Sequence, residues 1–260
     1  LSCKQDKKII FTKKKIFTNK FSFIGDEFTF NALNDILNIT YISNNLNCIR
    51  PEQYDFLLCE STWDGVDGTW HREFSGNHGH TNLRNVVNIF KKNNKRCIFY
   101  NKEDPINFKS FYISAGLFDI IITTSLTKVN DYKKYYPKKL VFASPFCCNP
   151  ILHNPIENKK KKQVYFVGGF YSKFEERIKT TYNMLDNVID KKLNLKLVNR
   201  HYFFPKISRQ IRKLNGFKND YCIDKKYTDY ETPVVSHIQA YNMYKDTLLH
   251  ININTIADCK

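Results

Sequence analysis

The stretch TNLRNVVNIFKKNNKRCIFYNKEDP, residues 81–105, decides the fold. Its first half places Leu83, Val86, Val87 and Phe90 at i, i+3, i+4 and i+7, the spacing of a helix with one buried face. Arg96-Cys-Ile-Phe-Tyr100 follows a Lys/Asn run and is short, β-branched and aromatic, as strands are. It opens into a polar turn, Asn101-Lys-Glu-Asp-Pro105. A helix feeding a strand that ends in a polar loop is the repeating step of a parallel α/β sheet.

The same step recurs on both sides. Strands are predicted over Lys15–Ile24, Ile39–Ile42, Tyr54–Cys59, Asp119–Thr123 and Leu140–Ala143. Helices are predicted over Thr29–Leu37, Thr81–Asn93, Phe108–Gly116 and Leu126–Tyr135. Alternation of this kind implies parallel strands joined by crossover helices, a Rossmann-like layer structure. Pro145, Pro150 and Pro155, then the charged bridge Glu157–Lys162, read as a linker. We therefore expect two α/β domains, residues 1–156 and 157–260. The second begins with the strand Gln163–Gly169, the helix Lys173–Lys191 and the strand Leu193–Val198. Residues 201–233 read as irregular, before a helix over His237–Lys245 and a strand over Leu248–Ile256. That amounts to about three strands, fewer than an average sheet, so the second domain reads as incomplete with an open edge.

Composition bounds the function. Of 41 basic residues, 33 are Lys and 8 are Arg, and the net charge is +16. Nucleic-acid readout leans on the Arg fork, so specific nucleic-acid binding is not expected. A basic face suits phosphate-bearing substrates or peripheral contact with an anionic membrane surface. No long apolar run or signal region is present, which places the expected location in the cytoplasm, peripheral to the inner face of the membrane if membrane-associated. The eight cysteines form no C-x-x-C pair, and buried reduced thiols are expected.

Three segments carry candidate chemistry. Glu60-Ser-Thr-Trp-Asp-Gly-Val-Asp-Gly-Thr-Trp70 holds both tryptophans of the chain and follows a strand, as Asn101–Pro105 does. Loops at the carboxyl ends of parallel strands are where open α/β sheets bind ligands. Carboxylates, an amide and indole rings there suit a sugar, whose C–H faces pack on Trp while its hydroxyls donate to carboxylates. Composition leaves a plain turn-and-cap reading equally open. The segment His71–His80 carries three histidines on no fixed element, so we expect a loop over the pocket and no metal site. Gly168-Gly169, between a strand and a helix, suits either a phosphate cradle or a tight turn, with Lys173 and Arg177 just beyond.

Taken in order, several segments resemble the CgeB-like, spore-maturation-type glycosyltransferases of GT-B architecture. They are Gly25-Asp-Glu-Phe-Thr29, the Glu60–Trp70 loop, Asn101–Pro105 and Leu117-Phe-Asp-Ile-Ile-Ile-Thr-Thr124. Ser144-Pro-Phe146 with His153-Asn-Pro155, Val167-Gly-Gly-Phe-Tyr-Ser-Lys173 with Glu176-Arg177, and Tyr241 to Tyr244 followed by Ile251–Asp258 complete the series. Gly-Gly-Phe-Tyr stands where Gly-Ser-Tyr-Tyr is commoner. The family's Arg-Arg-x-x-Glu-like helix, expected after Asp258, has no counterpart before Lys260.

The resemblance implies two Rossmann-like domains across a cleft and transfer of a sugar from a nucleotide-sugar donor to a glycan, lipid-linked or protein hydroxyl. It implies no cofactor and no metal. By carry-over, Asp104, Asp67 and Glu103 are the catalytic candidates, and Glu60, Trp63, Trp70, Asn101 and Lys102 face the acceptor. Gly168, Gly169, Tyr171, Lys173, Arg177, Asn252, Asn254 and Asp258 would border the donor. The competing expectation is an inactive basic α/β module that binds nucleotide, nucleic acid or glycan.

Overall fold

In the computed structural model, residues 17–76, 80–154, 160–171, 174–202 and 223–253 are described. The chain divides into two compact units, Leu1–Asn154 and Pro155–Lys260. In the first, β1 (Lys20–Ile24), α1 (Glu27–Leu33) and β2 (Asn38–Tyr41) are followed by β3 (Phe56–Glu60). Then come α2 (Thr81–Lys92), β4 (Arg96–Asn101), α3 (Phe108–Ala115), β5 (Ile120–Thr123), α4 (Leu126–Tyr135) and β6 (Leu140–Ala143).

All six strands are parallel, in the order β2-β1-β3-β4-β5-β6. The chain steps outward from β1 to β2, returns past β1 to β3, and then steps outward the other way. Right-handed crossovers running in opposite directions put their helices on opposite faces. Accordingly Phe30 and Leu33 of α1 pack with Phe23, Ile39 and Leu58, whereas helices α2, α3 and α4 pack with Ile24, Leu57 and Cys59. Leu83, Val86, Val87 and Phe90 of α2 are all buried. Each contributes about 1.5–3 kcal/mol relative to exposure. The helix stops where Asn94 turns left-handed, at φ 57°, a conformation that Asn tolerates.

The second unit holds β7 (Lys161–Gly168), α5 (Glu175–Asp190), β8 (Asn194–Asn199), β9 (Glu231–Thr232), α6 (His237–Asp246) and β10 (Thr247–Ile251). Its sheet is parallel in the order β10-β7-β8-β9. Leu185 and Val188 of α5 close over Phe166, Leu195 and Leu197. A capping box between Ser236 and Gln239 starts α6.

Three sequence expectations need correction. The first strand begins at Lys20, five residues later than predicted from Lys15. Helix α1 runs from Glu27 to Leu33, starting and ending earlier than Thr29–Leu37; its start is set where Glu60 accepts the N–H of Asp26, the residue before it. Within the stretch read as irregular, β9 adds a fourth strand to the second sheet. Its two residues are too few for a period-two signal. Among the described residues no helix is long and apolar enough to cross a membrane.

Candidate functional site

The first sheet reverses its winding between β1 and β3, and the carboxyl ends of strands at such a reversal are where open α/β sheets bind ligands. Gly25, Asp26, Glu60 and Thr62 lie at this point, and Lys102 reaches it from the end of β4. Glu60 is fully buried and accepts the Asp26 N–H at 2.8 Å and the Thr29 hydroxyl. Lys102 Nζ lies 3.0 Å from Glu60 Oε1 and also pairs with Asp26 Oδ2. Thr62 donates to the other Asp26 oxygen.

This packing leaves no room for a side chain at Gly25. A Cβ there would sit 2.6 Å from Glu60 Oε2 and 2.4 Å from the Phe23 ring. Burial pushes the Glu60 carboxyl up to about 7, against the pull of Lys102. Burial alone would lower the Lys102 ammonium, but Glu60 and Asp26 more than reverse it and hold it raised. The Lys102 side chain is 10 % exposed and that of Asp26 32 %, so Asp26 is the carboxylate within reach of solvent.

Asn101 and Asp104 form a second buried network beside it. Asp104 accepts from Asn101 Nδ2 at 3.0 Å and from the Thr123 hydroxyl at 2.6 Å, and Asn101 also donates to the Tyr132 hydroxyl at 2.7 Å. The network ties β4 to β5 and α4. Burial raises the Asp104 carboxyl to about 6, with the Thr123 and Tyr132 hydrogen bonds opposing. The Glu103 carboxylate accepts from Asn107 Nδ2 at 2.6 Å, and its N–H faces Ser61 and Asn101.

The Glu60–Trp70 loop splits its tryptophans between two tasks. Trp70 is fully buried, donates Nε1–H to the Ile42 carbonyl at 3.0 Å and stands edge-on to Phe74. It is a core anchor and not a wall of an open pocket. Trp63 is 40 % exposed and rests edge-on against Phe111 of α3, centroids 5.0 Å apart. Asp67 is exposed and shapes the turn, accepting from the Tyr41 hydroxyl at 2.5 Å and the Thr69 hydroxyl at 2.7 Å. Its slight burial would raise the carboxyl, but these hydrogen bonds hold it below the usual carboxylate range.

His80 turns both ring nitrogens toward the Glu73 and Gly76 carbonyls, at 2.7 and 3.1 Å. His78 lies outside the described residues. Among those described, no group of three or more His, Cys, Asp or Glu could hold a metal ion. Cys59 and Cys97 are buried free thiols, whereas Cys48 and Cys148 are exposed, so burial is not general among the cysteines.

In the second unit the winding reverses between β7 and β10. Gly168 ends β7, and Gly169 packs so closely on Tyr171 that a Cβ would lie 2.7 Å from its ring. Arg177 of α5 bridges the gap, donating Nη1–H to the Gly169 carbonyl at 2.8 Å and Nε–H to the Ile253 carbonyl at 3.3 Å. Tyr171 lies beneath the guanidinium, 5.8 Å from ring centroid to Cζ, and Asn252 is exposed. Lys173, Asn254 and Asp258 lie outside the described residues.

The structure thus brings Glu60, Asn101, Lys102, Glu103 and Asp104 to neighbouring strand ends, and Gly168, Gly169, Tyr171 and Arg177 to another. Asp26 was missed as a site residue. Its signal was its place directly after a strand and a glycine, as at Gly168-Gly169. No protein-family model, curated protein or solved structure matches the chain.

Proposed function

We propose that the chain is a glycosyltransferase of GT-B type, moving a sugar from a nucleotide-sugar donor to a hydroxyl of a glycan, lipid-linked or protein acceptor. The observation that carries this reading is the group of carboxylates and one ammonium at the first sheet's reversal point, beside the Asn101–Asp104 network. In this reading the acceptor hydroxyl lies near these strand ends, with Trp63 as the exposed aromatic surface. Asp104 suits proton acceptance better than Asp67. Its carboxyl is raised toward neutrality, where a general base works best, whereas that of Asp67 is held low. On the donor side, the Gly168-Gly169 turn with Lys173 and Arg177 supplies N–H groups and positive charge to a leaving diphosphate. The net positive charge fits a cytoplasmic enzyme working against an anionic membrane face.

A second reading, an inactive α/β module that binds nucleotide or glycan, is favoured by one feature. Glu60, Asp104 and Arg177 already spend their polar atoms on internal partners. One pair of experiments separates the two readings. UDP or GDP should raise the Tm, and the chain should hydrolyse or transfer from a UDP- or GDP-sugar. Asp104→Asn should abolish turnover while preserving the melt, since Thr123 can reverse its hydroxyl to accept from the new amide. Nucleotide stabilisation without turnover would leave the binding module standing, and no nucleotide response would end the donor-site reading.

A further inference from the structure

Beside the strand-end groups, the loop after β3 and helix α3 enclose an open depression of about 460 Å³ lined by Trp63, Asp64, His71, Arg72, Ser75 and Ser110. Its walls are fixed by main-chain hydrogen bonds. Arg72 N–H donates to the Trp63 carbonyl at 3.0 Å, Trp70 N–H to Asp64 at 3.1 Å, and Gly76 N–H to Ser110 at 2.9 Å. Trp63 is seated against Phe111 and Trp70 is sunk in the core, so the loop is held from both sides.

The lining is chemically mixed in a specific way. An indole with a solvent-exposed surface suits the C–H side of a sugar ring. His71 Nδ1 contacts Asp64 Oδ1, which orients the ring and leaves Nε2 open to a sugar hydroxyl. The Arg72 guanidinium makes no hydrogen bond or ion pair with any described residue and so is uncommitted beside the indole. A planar fork with no internal partner is suited to a carboxylate or a phosphate. Arg72 also holds φ 60°, a left-handed conformation that is uncommon outside Gly and Asn.

We propose that this depression binds an anionic sugar, its ring on Trp63, its hydroxyls on His71 and Asp64, and its carboxylate or phosphate on Arg72. As the acceptor site of a transferase it rests on the reading above. As a binding site it stands on this geometry alone.

The test is a fluorescence titration of the full chain with methyl glucuronide, glucose 6-phosphate and methyl glucoside, using acrylamide as quencher. Trp63 is open to acrylamide and Trp70 is not, so shielding reports the depression. Anionic sugars should shield Trp63 at concentrations about ten- to a hundredfold below those needed by the neutral glucoside, the gain from one charge-assisted pair. The tighter of the two anionic ligands identifies the charged group as carboxylate or phosphate.

Arg72→Asn keeps a residue that tolerates the left-handed backbone and should bring the anionic sugars down to the glucoside's affinity. His71→Ala should weaken all three ligands. Full anionic affinity in Arg72→Asn, equal shielding by inorganic phosphate, or no shielding by any sugar would each overturn the proposal. A flat titration together with a nucleotide-induced rise in Tm overturns this site and leaves the transferase reading intact. Shielding without any nucleotide response does the reverse.

Discussion

Lys102 Nζ lies 3.0 Å from Glu60 Oε1 and pairs with Asp26 on its other side, so one ammonium joins the carboxyl ends of β4, β3 and β1. Removing it takes the shared cation from Asp26 and Glu60 and leaves Glu60 to keep its proton to higher pH, a loss of about 1–3 kcal/mol. Lys102→Met is therefore expected to lower the urea midpoint steeply. Glu60→Gln, which keeps the shape and the acceptor for the Asp26 N–H, should cost clearly less.

The same carboxylate sets a pH dependence. The Glu60 carboxyl stands at about 7 in the fold, above its ordinary 4.5, so the folded chain keeps a proton that the unfolded chain releases. The stability this adds is complete below about pH 4.5 and is lost as pH rises through about 7. Asp104 adds a change of the same sign between 3.8 and about 6. Melts recorded across pH should show Tm falling over this window, and Glu60→Gln should flatten the upper part of the fall. An unchanged slope in Glu60→Gln would assign it to other groups.

Gly25 meets Glu60 and Phe23 too closely for any side chain. Gly25→Ala is expected to cost about 1–3 kcal/mol, as overpacking does. Combining it with Glu60→Gln should recover little, because the Glu60 Cβ, which Gln retains, would still lie 2.8 Å away. Urea titration of the single and double variants measures both.

The two tryptophans should separate in a stability assay. Trp70→Ala removes a fully buried ring and is expected to cost about 3–5 kcal/mol. Trp63→Ala, at the rim of the depression, should cost much less and eliminate most acrylamide quenching.

Arg177→Met should loosen the second sheet locally. With its ties to Gly169 and Ile253 gone, hydrogen exchange of the β10 amides should quicken while that of β3 and β4 stays as it was.

The alternation that defines both sheets was legible because each helix buries one face and each strand is short and apolar. Leu83 to Phe90 announces α2, and Arg96 to Tyr100 announces β4. Where the reading failed, the deciding contact lies far away in sequence. The start of α1 depends on Glu60, which no local pattern shows. Trp63 and Trp70 are equivalent by composition, and only the Ile42 carbonyl and the Phe74 ring draw one of them inward. Strand-end chemistry was legible as a set of polar loops. The partition of those polar groups into a buried Glu60, a bridging Lys102 and an exposed Asp26 is set by the strand order, which composition does not encode.

Helix α1 carries a further consequence. It has seven residues, and the N–H of Asp26, the residue that caps its start, looks to Glu60, 34 positions downstream, while the Asp26 side chain is engaged by Lys102, 76 positions away. A helix this short does not persist alone in water. Its formation must wait for two long loops to close and for β3 and β4 to register, so during folding it belongs to the last step. Substitutions confined to α1 should then speed unfolding and leave the refolding rate nearly untouched.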